Sequence, residues 1–152
     1  MQLIQPLDNH LLEMMSWFCC EQELTDWSGP NFRYPFNAMT FVEDLKLNML
    51  SSFALVSNES EFLAFGQFYQ RLNKCHLARL IVNPKYRGKG IASELMNRLY
   101  RLGIVELKVK ESSLFVLAHN YSAIKAYEKF GFVLASYPEQ IPLDNCLYMV
   151  KS

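Results

Sequence analysis

Arg87, Gly88, Lys89 and Gly90 stand between an apolar run that ends at Pro84 and a helix expected to open at about Ile91. Those residue types in that order make a site for an anion. The first N–H groups of a helix have no partner within it and point out of its positive end. Two glycines let the preceding backbone take left-handed angles and turn further N–H groups toward a phosphate. Arg87 and Lys89 add positive charge at the same place. Two nucleotide-binding patterns are excluded, because Lys89 is followed by Gly90 rather than Ser or Thr, and Ser93 stands where Gly-x-Gly-x-x-Gly needs its third glycine. On this turn alone, a basic surface turn before an ordinary helix stays open.

The turn has a companion downstream. Arg87-Gly88-Lys89-Gly90-Ile91-Ala92 resembles the Arg/Gln-x-x-Gly-x-Gly/Ala motif with which the GNAT superfamily of N-acetyltransferases holds the pyrophosphate of acetyl-CoA. Asn120, Ala123, Tyr127, Gly131 and Phe132 fit the second pattern of that superfamily, Asn-x-x-Ala-x-x-x-Tyr-x-x-x-Gly-Phe. The resemblance is close from about Lys74 to Phe132 and weak elsewhere.

The resemblance implies a set of roles. The strand through Leu80, Ile81 and Val82 would splay at a bulge from its parallel neighbour and pair its backbone with the pantetheine arm. The N–H of Val82 or a neighbour would polarise the thioester carbonyl, an interaction worth roughly 3 kcal/mol of barrier. Arg87, Gly88, Lys89, Gly90, Ile91, Ala92 and Ser93 would hold the pyrophosphate, with Asn120, Ala123 and Tyr127 along the rest of the acetyl-CoA site. Tyr127 is the general acid: a phenol with a pKa of ~10 is protonated at neutral pH and can reprotonate the departing thiolate. Spacing permits this, since Tyr127 lies seven residues, two helical turns, after Asn120, so both can face one groove. The helix pattern alone equally allows a core tyrosine beside Ile124 and Phe130.

The base is less defined. Many relatives carry a glutamate near the start of this strand, where Lys74 stands here. His76, two residues on and on the same strand face, has a side chain that titrates near neutrality and is the candidate base, although a strand histidine is commonly structural. Glu23 and Glu61 are weaker candidates, and a water chain without a single base is open. For the acceptor, Trp27, Tyr34 and Phe36 with Glu23 and Asp26 could form an aromatic, acidic pocket for a cationic amine, or could equally cap the core. Tyr69 and Arg79 fall near the expected cleft without a defined role.

The elements that must position these residues can be read from periodicity and punctuation. A short strand over 3–7 precedes a helix over about 9–18 capped by Asp8, with Leu11, Leu12, Met15 and Phe18 on one face. Residues 21–35 read as a loop with Trp27-Ser28-Gly29-Pro30 as its turn. Asn37 caps a second helix running to about residue 50. Strands over 53–56, 62–70 and 75–82 follow, the first two as a hairpin. A helix runs from Ile91 to at least Tyr100, and the uncharged run 113–118 suits a central strand covered on both faces. Asn120 caps a helix over 121–130 that Gly131 ends. Strands over 132–136 and 146–151 close the chain across a loop bearing Pro138 and Pro142. The expected fold is α/β: a mixed, mostly antiparallel central sheet of six to seven strands with about four flanking helices, forming one domain over 1–152.

Composition bounds the rest. With 51% hydrophobic residues among 152, the chain can bury a core without metal or disulfides. Fifteen basic and fifteen acidic residues cancel, which disfavours nucleic acid or an anionic membrane as partner. No run approaches the ~18 apolar residues of a membrane span, and the first twenty residues lack the positive leader of a secretory signal. The cysteines at 19, 20, 75 and 146 match no zinc pattern and are expected as reduced thiols in a cytoplasmic protein. The expectation is thus an acetyl-CoA-dependent N-acetyltransferase using no metal, working by direct attack in a ternary complex on a small-molecule or protein amine, as a monomer or homodimer. The alternative is a non-catalytic acyl-CoA-binding sensor or partner subunit.

Overall fold

The structure is a computed structural model that describes residues 1–141 and 143–152; Pro142, expected in the last loop, lies outside the described residues. Along the chain run β1 (Gln2–Ile4), α1 (Asp8–Met15), α2 (Glu21–Ser28), α3 (Ala38–Leu45), β2 (Ser51–Val56), β3 (Phe62–Arg71) and β4 (Lys74–Val82). After a short 3₁₀ turn at Pro84–Tyr86 come α4 (Ile91–Leu107), β5 (Ser112–Leu117), α5 (Tyr121–Phe130), β6 (Val133–Ala135) and β7 (Cys146–Lys151). The seven strands form one sheet in the order β1-β2-β3-β4-β5-β7-β6. Every neighbouring pair is antiparallel except β4 and β5, which are parallel because α4 carries the chain from one to the other.

Each face of the sheet is covered, and each cover has its own apolar cluster. Ile91, Leu95 and Leu99 of α4, spaced along one stripe, bury against Phe68, Cys75, Leu77 and Leu114 of the sheet, with Ile124 and Tyr127 of α5 at the margin. On the other face Leu11 and Met14, Leu24, Phe41 and Leu45 from the first three helices bury against Ala54, Val56 and Phe65. Gly103 sits where α4 crosses β4, and a Cβ there would lie 2.3 Å from the Cys75 sulfur, so only glycine permits that approach.

The early helices differ from the sequence expectation. Residues 21–35 do not form one loop: α2 occupies the first eight of them. Its Glu23 carboxylate accepts the Cys19 N–H at 2.6 Å, closing the helix start from the third position, and Leu24 is buried. Asp8 is the first residue of α1 rather than its cap; the Leu7 N–H donates instead to Nδ1 of His10 at 3.0 Å, and Phe18 lies beyond the helix. Asn37 does cap α3, accepting the Thr40 N–H, but the helix stops at Lys46 in a left-handed conformation, and Met49 is exposed.

One irregularity shapes the middle of the sheet. In the β3–β4 register Gln67 faces Ala78 while Phe65 faces Ile81, so Gly66 alone opposes Arg79 and Leu80. This is a β-bulge, with Arg79 at φ +53°. A Cβ on Gly66 would come within 2.8 Å of Leu80 Cδ2 and 2.5 Å of Leu99 Cδ1, so glycine lets the bulged strand close under α4. The extra residue also resets the alternation: Cys75 and Leu77 face α4 before the bulge, and Leu80 and Val82 face it afterwards. Already ahead of the bulge β4 leaves its other neighbour, for β4 and β5 pair only at Cys75–Ser112 and His76–Ser113. A gap opens between them.

Candidate active site

Three adjoining clefts run through that gap. The first, of about 690 Å³, lies on the α4 side and is lined by Leu80, Ile81 and Val82 of β4, by Arg87, Gly88, Gly90, Ile91 and Ala92, and by Asn120, Ala123 and Tyr127 of α5. The second, of about 430 Å³, shares Leu80, Ile81, Arg87, Asn120, Ala123 and Tyr127 with the first and adds Glu23, Asp26, Trp27 and Arg79. The third, of about 270 Å³, shares Asp26, Trp27 and Arg79 with the second and ends among Tyr69, Arg71, His76 and Phe115.

At the entrance to the first cleft Gly88 and Gly90 both have φ +78°, the left-handed region that residues with a Cβ enter at a cost. Gly90 is the N-cap of α4 and brings no side chain to its free N–H groups, which are left for a ligand. Lys89 and Ser93, expected with this group, do not line the cleft; the Lys89 ammonium sits 5.7 Å from the Tyr86 ring centroid.

Tyr127 projects between the first two clefts, its ring packed against Phe132 at 6.2 Å between centroids. Burial pushes its phenol up to about 12, and its hydroxyl has no hydrogen-bond partner among the described residues. It therefore holds its proton at neutral pH and is free to direct it into the cleft. Asn120 caps α5, its side-chain oxygen accepting the Ala123 N–H and the Ser122 hydroxyl, both at 3.4 Å.

His76 lies deep in the third cleft. It is 2% exposed, with Nδ1 2.8 Å from Ser113 Oγ and its ring between Tyr69 and Phe115. Burial, aided by the nearby Arg71 charge, lowers its pKa to about 3. So neutral an imidazole takes up a proton poorly, which weighs against its use as the base. The folded pKa lies below the unfolded value of ~6.5, so the unfolded chain binds the extra proton between them, and stability falls as pH drops from about 6.5 toward 3. We expect His76→Gln to make the pH dependence of urea stability shallower in that window, by up to about 1.4 kcal/mol per pH unit. An unchanged slope would mean that the folded protein protonates His76 without penalty.

The expected acceptor aromatics separate. Trp27 lines the second and third clefts because α2 presents it there, whereas Tyr34 and Phe36 line none of the three. After Gly29 the chain turns away: the Arg33 N–H and guanidinium both bind the Asp44 carboxylate at 2.9 and 3.0 Å, leaving Tyr34 exposed and Phe36 against Phe41 in the core. Glu61 accepts the Tyr86 hydroxyl and is likewise outside the clefts, and Lys74 pairs with Glu111 at 3.8 Å.

Two residues that sequence reasoning passed over stand at the site. Arg71 lines the third cleft; it follows Tyr69 by two on β3, and that period-two spacing was the available signal. His119 Nε2 meets Asp26 Oδ1 at 3.2 Å, a pairing between residues 93 apart that no local pattern announces.

Comparison with known proteins accords with this geometry. Residues 12–132 match the acetyltransferase (GNAT) family model. The chain is 30% identical over 82 residues to the L-amino acid N-acetyltransferase AaaT of Escherichia coli K12, covering 53% of this chain and 51% of that one. It is 39% identical over 59 residues to NAA20, the catalytic subunit of the N-terminal acetyltransferase B complex of Arabidopsis thaliana, covering 39% of this chain and 34% of that one. In both cases it spans about half or less of the relative's length. The fold superimposes on the spermidine N-acetyltransferase of Vibrio cholerae in complex with CoA and spermine with a TM-score of 0.73 at 18% identity, over 98% of this chain and 93% of that one. Since the family match takes in both glycine-bearing motifs and the sheet that splays between them, the chain belongs to the GNAT acetyltransferase family.

Proposed function

We propose that the chain transfers an acetyl group from acetyl-CoA to an amine by direct attack within a ternary complex. The observation that carries this reading is the passage from the first cleft through the β4–β5 gap to the third, with Tyr127 lining both clefts on the acetyl-CoA side. The pyrophosphate lies on the N–H groups at the start of α4 beside Arg87, and the pantetheine arm follows Leu80, Ile81 and Val82. The amine enters from the third cleft, attacks the thioester carbonyl, and the sulfur leaves as Tyr127 donates its proton. Asp26, the carboxylate common to the second and third clefts, takes the proton of the amine directly or through water, with His119 holding its other side. The relatives that acetylate amino acids and spermidine support a small-molecule amine, and the confined third cleft suits one.

Calorimetry with acetyl-CoA, followed by thiol-release assays on amino acids, polyamines and peptides, tests the proposal. We expect binding together with turnover on at least one amine class. Tight binding without turnover on any amine would favour the sensor alternative, and absence of binding would overturn the acetyl-CoA site itself.

A further inference from the structure

The third cleft holds two arginines that no acid neutralises. Arg71 donates from Nε to the Tyr137 hydroxyl at 2.8 Å and from Nη1 to the Tyr69 hydroxyl at 2.7 Å, and its guanidinium lies 5.0 Å from the Phe115 ring centroid. Arg79 donates from Nη1 to the Leu45 carbonyl at 3.2 Å and to the Gln67 side-chain oxygen at 3.1 Å, with Phe32 4.8 Å away. All of these partners are neutral. Among the described residues neither arginine forms an ion pair, and Nη2 of each has no acceptor.

Asp44 binds Arg33. Asp26, which lines the same cleft, takes Gln22 and His119 on Oδ1 and forms no ion pair with either arginine.

Both arginines are half-buried, and drawing a cation partly out of water without a counter-charge carries a cost that chains ordinarily offset by pairing. Here the neutral partners hold both guanidiniums by one edge and leave donors free in the same cleft. A fixed fork of N–H donors matches a carboxylate, which it can take through two parallel bonds. The bulge is what makes the pair, because it adds Arg79 to the sheet face that already carries His76 and Ala78.

We propose that the acceptor amine bears a carboxylate, bound in the third cleft by Arg71 at its far end and Arg79 nearer the second cleft. This rests on the acetyltransferase reading above and narrows its substrate to amino acids and related amino carboxylates. The amine end then points back past Asp26 toward the thioester. A polyamine of similar length would instead set an ammonium group against two guanidiniums.

The test is calorimetric titration of the full chain, with and without CoA, using a panel of L-amino acids, each beside its carboxamide, and spermidine. Thiol release from acetyl-CoA is measured on the same preparations. We expect at least one amino acid to bind at least about tenfold more tightly than its carboxamide. In Arg71→Gln or Arg79→Gln that preference falls to less than about threefold, with affinity for acetyl-CoA unchanged as the check on folding. Arg71→Lys, which keeps charge but not the fork, retains part of the preference. Carboxamides or spermidine binding as well as the acids, a preference that survives both glutamine variants, or no binding of any amino acid would each overturn the proposal. Turnover of spermidine or carboxamides alone would do so while leaving the acetyltransferase reading intact, and loss of acetyl-CoA binding by the unaltered chain would strike that reading instead.

Discussion

Replacing Tyr127 with phenylalanine should lower kcat at least about a hundredfold while acetyl-CoA affinity stays within about threefold. Removal of a positioned proton donor typically costs a factor of about 10²–10⁴. The substitution is nearly isosteric, and the ring keeps its contact with Phe132, so packing at the head of the cleft is preserved. The hydroxyl, without a hydrogen-bond partner among the described residues, is lost without orphaning one. Because burial holds the phenol near 12, the protonated form persists across the working range, and no fall in activity below about pH 10 should trace to this residue. Single-turnover measurement of thiol release in Y127F separates chemistry from product release. Unchanged turnover would remove Tyr127 from the mechanism.

Acetyl-CoA affinity should be most sensitive at the turn before α4. Gly88 and Gly90 sit at φ +78°, and apart from the adjoining residues none of the described residues lies within 4 Å of where a Cβ would stand at either position. A substitution there therefore meets backbone strain, not a collision. A branched side chain in that region costs about 1–2 kcal/mol if the backbone is kept, and the turn relaxes if it is not. Either outcome spoils the convergence of N–H groups on the pyrophosphate. G88V and G90V should each weaken acetyl-CoA binding by about ten- to a hundredfold in calorimetry. The melting temperature should change little in G88V, which lies outside the helix. Full affinity in both variants would show that the phosphates lie elsewhere.

The parts of this site that a reader of the sequence could see are those written in short-range code. A glycine pair before a helix, Asn120 four residues ahead of Ile124, and Gly131 after Phe130 act through φ angles and unpaired N–H groups within one turn of chain, so α4 and α5 begin and α5 ends where expected. Strands β3, β4 and β7 show themselves by alternation and by β-branched and aromatic content. The helix α2 did not show itself, because its apolar positions are few: Leu24 and Trp27 gain burial from tertiary packing, Trp27 against Phe18, Phe32, Phe41 and Phe65. Its misreading as loop carried Tyr34 and Phe36 into the expected acceptor pocket.

By itself, then, the sequence determined the end of the protein proposed to hold acetyl-CoA, since a glycine turn at a helix start is made from consecutive residues whose backbone angles are local properties. Tertiary structure alone decided the acceptor end. Arg71 and Arg79 come together through a bulge in the β3–β4 register, Asp26 meets His119 across the gap, and His76 is sealed between Tyr69 and Phe115. Each depends on which strands pair and where pairing stops. The place of the bulge, the point where β4–β5 pairing stops and the packing of α2 set those choices, and they depend on the rest of the sheet rather than on the residue types alone.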